Sequence, residues 1–221
     1  MKALVTGGEG GIGRAIRARL EAQGYDVLSL DVVNGFDVSD PSAWEGVGPV
    51  DVACLNAGVV AADLSYESYR RTVSVNVDGV VLGVLRLRDV MTAGSIVATA
   101  SLAGLTAMAS DPIYSLTKHA VVGFVRSVAP SLAPVRINAV CPGIADTPMI
   151  DGMREELGEF PLLQAGEVAE AVWRAATADA TGECWFVQPG RDPAPFQFPR
   201  VPGPRRDGAK VGNPPNLVQR S

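Results

Sequence analysis

Lys2-Ala-Leu-Val-Thr6-Gly7-Gly-Glu-Gly-Gly-Ile-Gly13 is the stretch whose reading decides the fold. Residues 1–6 form a short apolar run with strand character that stops at a glycine cluster. Residues 14–23 then space Ile16 and Leu20 as on one face of a helix, which ends at Gly24. A second strand, residues 26–30, ends at Asp31. Strand, glycine turn, helix, strand and acid in that order predict a dinucleotide site in a doubly wound parallel sheet, a Rossmann fold of class α/β. The glycines let the main chain approach a pyrophosphate and leave amide hydrogens at the helix start aimed at it. An Asp31 carboxylate accepts hydrogen bonds from ribose hydroxyls and repels a 2′-phosphate. Glu9 adds negative charge and no basic residue directly follows Asp31, so NAD is expected rather than NADP.

Outward from this unit, strands and helices keep alternating. Residues 34–49 are a short crossover anchored by Trp44, and a strand at 50–55 ends in Asn56-Ala57-Gly58 at the edge where ligands of such folds bind. Residues 66–91 read as mostly helical, with Tyr69, Val73, Val77, Val80, Val81, Val84 and Leu85 on an apolar side broad enough to be buried. Asn76 interrupts that side, and spacing alone makes it a satisfied core hydrogen-bonder. A strand at 95–100 delivers Ser101, and a helix at 114–132 carries Tyr114 and Lys118. A strand at 136–140 leads into Cys141-Pro-Gly-Ile-Ala-Asp-Thr-Pro-Met149, followed by a helix at 167–177 and a last strand at 184–187. The domain is therefore placed at residues 1–187. Residues 188–221 are a Pro/Arg/Gly-rich extension, expected to be disordered or an arm that needs a partner surface to order it.

Tyr114-Ser-Leu-Thr-Lys118 carries the chemistry. Four residues along a helix put phenol and ammonium on one face, about 6 Å apart along the axis. A phenol titrating near 10 is a poor base at neutral pH, and a fixed cation beside it favours the phenolate. Alone, such a pair also fits a half-exposed helix surface, and the dinucleotide signature is what raises it above that.

Composition bounds the alternatives. The 221 residues are 47% hydrophobic with a net charge of −5, enough for one full core and adverse to nucleic-acid or anionic-membrane binding. Cys54, Cys141 and Cys184 show no Cys-x-x-Cys spacing, so neither a metal site nor a disulfide framework is indicated, and each is expected to be buried as a small apolar residue. No signal-peptide pattern or membrane-length apolar span is evident, so a cytoplasmic location is expected.

Taken together, Thr6-Gly-x-x-x-Gly11-x-Gly13, Asn56-Ala-Gly58, Asn76, Ser101, Tyr114-x-x-x-Lys118 and Pro142-Gly143 with Thr147 resemble the short-chain dehydrogenase/reductase family over about residues 1–187. The resemblance implies a catalytic tetrad of Asn76, Ser101, Tyr114 and Lys118. In it Tyr114 exchanges a proton with the substrate oxygen, Ser101 hydrogen-bonds that oxygen, Lys118 binds the nicotinamide ribose, and Asn76 holds a water linking the lysine to solvent. It implies cofactor contacts from Gly7, Gly11, Ile12, Gly13, Asp31 and Asn56–Gly58, with Asp37 and Val38 flanking the adenine. Pro142, Gly143, Ile144 and Thr147 are expected at the nicotinamide carboxamide. The expected activity is NAD-dependent interconversion of a secondary alcohol and a ketone.

The chain departs from the family pattern in length. The segment after Thr147, where the family places a substrate lid, is compact, and Met149 and Met153 are the candidates to touch substrate there. The resemblance also implies a homodimer or homotetramer formed by packing the Asn76 and Tyr114 helices, although the long extension speaks against the usual tetramer. His119 is expected at the surface or an interface and not in the catalytic cleft. The competing reading is a non-catalytic NAD-binding regulator or scaffold, and an epimerase or dehydratase that recycles its cofactor stays open.

Overall fold

Alternate residues of the central strands face opposite sides of one sheet, and that alternation builds two apolar layers. The computed structural model describes residues 1–200, 202, 205–207 and 209–210. Strands β1 (Lys2–Thr6), β2 (Asp26–Leu30), β3 (Val52–Leu55), β4 (Ser95–Thr99), β5 (Arg136–Pro142) and β6 (Cys184–Val187) pair in parallel, and β7 (Ala194–Pro195) adds antiparallel, in the order β2-β1-β3-β4-β5-β6-β7. The order reverses at β1, so the crevice for a ligand opens between the carboxyl ends of β1 and β3.

Helices α1 (Gly11–Glu21) and α7 (Ala165–Thr177) cover one face, packing Ile16, Leu20, Val168 and Val172 on Ala3, Val5, Cys54 and Val97. The other face takes α2 (Pro41–Trp44), α4 (Gly79–Val90) and α5 (Pro112–Val128), whose Trp44, Val84, Leu87, Val121 and Val125 meet Leu4, Ala53, Leu55 and Ile96. Trp44 is the expected anchor of the short crossover: it is buried, its indole N–H donates to the Val38 carbonyl at 3.0 Å, and Phe36 meets it edge-on. All three cysteines are buried free thiols.

Several boundaries move for identifiable reasons. Helix α1 starts at Gly11, because the glycines themselves form its first turn. Strand β3 starts at Val52, two residues late, beyond Pro49. Asp111 caps α5 by accepting from the Tyr114 amide at 2.8 Å, and Pro112 occupies the first turn, so that helix begins two residues before the tyrosine. It ends at Val128, and Ala129–Ser131, which contains Pro130, continues as a 3-10 turn.

The expected helix over residues 66–91 is α3 (Tyr66–Val73), a π turn (Ser74–Asp78) and α4. Its expected apolar side is split. Val80 and Val84 are buried, Tyr69, Val73, Val77 and Val81 only partly so, and Leu85 is 42% exposed. The face turned to the protein carries Thr72, Asn76, Gly79, Gly83 and Leu87 instead. A Cβ at Gly83 would stand 2.8 Å from Leu55 and Trp44, so the helix backbone itself lies against the core there and turns the valine stripe outward.

The extension beyond residue 187 joins the domain at first. Trp185 and Phe186 of β6 pair with Pro195 and Ala194, and the Phe196 amide donates to the Cys184 carbonyl at 2.7 Å. Phe198 packs under the Arg126 guanidinium, 3.6 Å from its ring centre, and edge-on to Phe196. The surface that orders this part of the arm is the chain's own β6 and α5. A two-residue hairpin, β8 (Arg205–Arg206) with β9 (Ala209–Lys210), follows, and the rest of the expected extension lies outside the described residues.

Candidate active site

The carboxyl ends of β1, β3 and β4 are stitched together by side chains the motifs supply. The Thr6 hydroxyl accepts from the Asn56 and Ala57 amides at 2.9 and 3.1 Å, Asn56 Nδ2 donates to the Thr6 carbonyl, and Thr99 donates to Asn56 Oδ1 at 3.1 Å. Asn56–Gly58 is thereby held beside the glycine turn. A Cβ at Gly13 would fall 2.0 Å from the Gly7 carbonyl, and Gly7 itself has φ +63°, a left-handed conformation that favours glycine. Helix α1 has neither a side-chain cap nor an acid in its first turn, so its leading amides are open to an anion. Across the cleft, Thr147 stands over Gly11, where a Cβ would be 2.7 Å from Thr147 Cγ2. These residues fit the pyrophosphate of a nicotinamide dinucleotide.

At the end of β2, Asp31 is buried and accepts from the Glu9 amide at 3.0 Å and the Val33 amide at 3.2 Å. It caps a turn and simultaneously ties that turn to the glycine loop. The Glu9 carboxylate accepts from the Ser29 hydroxyl at 2.5 Å and from the Arg17 guanidinium. Asp37 accepts from both the amide and the hydroxyl of Ser39. Val38 is buried, its side chain packed over Gly79, so only its main chain is left to meet an adenine.

The four residues of the expected tetrad, Asn76, Ser101, Tyr114 and Lys118, lie near the ends of β3, β4 and α5. The Ser101 hydroxyl lies beside the Tyr114 phenol and accepts from the Ala103 amide at 3.1 Å. Lys118 is buried, donates to the Thr99 carbonyl at 2.9 Å, and has its ammonium 5.4 Å from the centre of the Tyr114 ring. Asn76 sits in the π turn, fully buried. It accepts from the Val59 amide at 2.8 Å and donates to the Val59 carbonyl at 2.9 Å and the Thr117 hydroxyl at 3.0 Å. A Cβ at Gly58 would lie 3.3 Å from Asn76 Oδ1 and 3.4 Å from Lys118 Nζ, which puts amide and ammonium on one small space.

Electrostatics in the free protein run against the simple cation-beside-phenol picture. Burial pushes the Tyr114 phenol up to about 12, with the Ser101 hydroxyl pulling the other way and Asp111 adding to the rise. Burial also brings the Lys118 ammonium down to about 8. Desolvation is the largest cause at both groups.

Pro142, Gly143 and Ile144 continue β5 into the cleft rim: Ser101 Oγ is 3.5 Å from the Pro142 carbonyl, and the Gly143 amide donates to Val187. Met149 and Met153 lie on an exposed 3-10 turn (Pro148–Met153), 45% and 38% exposed. Met149 lines a cleft of about 240 Å³ with Gly58, Val59, Val60 and Arg71. His119 is exposed, with Nδ1 2.9 Å from the Ser115 carbonyl, as expected of a surface residue. Sequence reasoning gave Thr6 only as the first position of the glycine motif, and missed Thr99, Thr117, Asp111 and Arg71. Of these only Asp111-Pro112 carries a local signal, that of a capped helix start.

A family model described as short chain dehydrogenase matches residues 41–158. The trans-4-hydroxycyclohexanecarboxylate dehydrogenase of Sinomonas cyclohexanicum is 31% identical over 176 residues, covering 72% of this chain and 68% of that protein. The 1-deoxy-11-beta-hydroxypentalenate dehydrogenase of Streptomyces avermitilis is 31% identical over 220 residues, covering 80% and 81%. Among solved structures, the ligand-free aldohexose dehydrogenase of Thermoplasma acidophilum superposes with a TM-score of 0.74 at 28% identity, covering 90% of this chain and 97% of that one. The chain belongs to the short-chain dehydrogenase family. Its relatives are oxidoreductases acting on hydroxyl groups, and the family binds nicotinamide cofactors.

Proposed function

We propose that this protein is an NAD-dependent oxidoreductase interconverting a cyclic secondary alcohol and its ketone. The observation that carries the reading is the gathering of Ser101, Tyr114 and Lys118 at the mouth of a glycine-lined nucleotide cleft, with the Lys118 ammonium 5.4 Å from the centre of the Tyr114 ring. Bound nicotinamide supplies the hydride acceptor or donor. Tyr114 gives or takes the proton of the substrate oxygen, and the Ser101 hydroxyl beside the phenol hydrogen-bonds that oxygen. Lys118 binds the nicotinamide ribose, and Asn76 keeps the space between Gly58 and Lys118 open to a relaying water. Gly7, Gly11, Ile12, Gly13, Asn56, Ala57, Pro142, Gly143, Ile144 and Thr147 hold the cofactor.

The preference for NAD rests on Asp31 and Glu9, two carboxylates that a 2′-phosphate would have to approach, with the nearby Arg17 already engaged by Glu9. The cyclic substrate follows the names of the two relatives, each of which acts on a ring-bearing hydroxyl compound. Residues 1–187 are the catalytic domain, and the outward stripe of Val77, Val81 and Leu85 with Leu116, 51% exposed, is the face for a second copy. Among the described residues no helix is long and apolar enough to cross a membrane, and a cytoplasmic enzyme agrees with that.

The test follows reduced nicotinamide by its ultraviolet absorbance, with NAD and NADP against a panel of cyclic secondary alcohols. The wild-type protein turns over at least one alcohol and Tyr114→Phe does not. Equal turnover by the variant would remove the tyrosine from the mechanism, and binding of NAD with no turnover would favour a non-catalytic module.

A further inference from the structure

Between the loop that follows β3 and the turn that follows Thr147, the cleft is walled by Gly58, Val59, Val60 and Met149, and Arg71 of α3 closes its flank. Arg71 is the single charged residue among those walls. The residue is exposed and makes no ion pair among the described residues. The wall of the cleft adjoins the reacting groups: a Cβ at Gly58 would lie 3.3 Å from Asn76 Oδ1 and 3.4 Å from Lys118 Nζ, and Val59 is held by Asn76 through two hydrogen bonds. A molecule seated in this cleft meets apolar walls and one cation.

Resting on the oxidoreductase reading above, we propose that Arg71 forms a carboxylate subsite, so that the substrates are hydroxy acids and keto acids whose apolar body separates the reacting carbon from the acid. One planar guanidinium matches one carboxylate through two parallel hydrogen bonds. A phosphate would call for further cations or clustered amides, and the walls offer neither. Apolar walls with one well-placed polar group are the usual build of a site that orients a small hydrocarbon ligand.

The experiment separates binding from turnover. Cyclohexanecarboxylate, which has no hydroxyl to oxidise, is titrated calorimetrically into the full chain with NAD present, using wild type, Arg71→Gln and Arg71→Lys. Loss of a charge-assisted contact predicts affinity lower by about tenfold or more in Arg71→Gln, with Arg71→Lys in between. In turnover, Arg71→Gln raises KM for a hydroxycyclohexanecarboxylate with little change in kcat, and leaves kcat/KM for cyclohexanol unchanged. Equal affinity of wild type and Arg71→Gln for the acid, or no binding to wild type, overturns the subsite. Weakened NAD affinity with unchanged acid binding also overturns it and assigns the guanidinium to a cofactor phosphate. Arg71-dependent acid binding with no turnover of any alcohol sustains the subsite and fails the oxidoreductase reading alone.

Discussion

The Lys118 ammonium lies 5.4 Å from the centre of the Tyr114 ring, while its hydrogen bond goes to the Thr99 carbonyl. Lys118 is buried and Tyr114 half-buried, and desolvation moves the phenol up to about 12 and the ammonium down to about 8.

These shifts predict how stability varies with pH. Between pH 8 and the ordinary lysine value of 10.5, the unfolded chain still binds a proton that folded Lys118 has released, so stability rises with pH. Above pH 10 the unfolded chain loses the tyrosine proton that the folded chain keeps until about 12, and the trend reverses. Lys118→Met abolishes activity yet stabilises the protein at neutral pH by about 1–3 kcal/mol, the desolvation penalty less the lost bond to Thr99. Urea unfolding of both proteins at neutral and alkaline pH checks this. A less stable variant at neutral pH would contradict it.

Catalysis should show the same asymmetry. Ketone reduction needs the phenol proton, which Tyr114 retains across the neutral range, so its rate is flat there. Alcohol oxidation needs the phenolate and rises by about tenfold per pH unit until another step limits it. Profiles of kcat/KM in the two directions distinguish these; an oxidation profile independent of pH would exclude Tyr114 as the base.

Glu9→Gln tests cofactor choice. The substitution removes one of two carboxylates near the ribose site and releases Arg17, so kcat/KM with NADP should rise relative to NAD by about tenfold, a shift of roughly 1.4 kcal/mol. An unchanged ratio would mean that Asp31 alone decides.

Gly13→Ala places a methyl 2.0 Å from the Gly7 carbonyl, and a backbone atom gives way poorly. Loss of NAD binding and destabilisation by about 1–3 kcal/mol or more are expected, measured by calorimetry and thermal melting. Native affinity in this variant would show that the turn has room to relax.

Phe198→Ala removes a ring packed against Arg126 and Phe196, which should cost about 2–4 kcal/mol or less of stability while leaving NAD affinity intact. If melting is unmoved, the arm contributes nothing to the fold.

Much of this was legible in one dimension because its causes are local. The order of strands and helices, the glycine turn and the four-residue step from Tyr114 to Lys118 follow from periodicity and from which residues tolerate a close backbone approach. Even the placement of Asn76 as a satisfied hydrogen-bonder could be read from its surroundings, though its partners could not.

Contacts between distant segments were decided only on folding. Asn76 meets Val59 and Thr117, Glu9 meets Ser29 and Arg17, and residues 194–198 return to β6 and α5, each pairing set by the sheet order rather than by any spacing. Folding also placed Arg71 on the cleft and reversed the expected balance at Tyr114, because desolvation depends on what surrounds a group in space and leaves no mark on its neighbours in the chain.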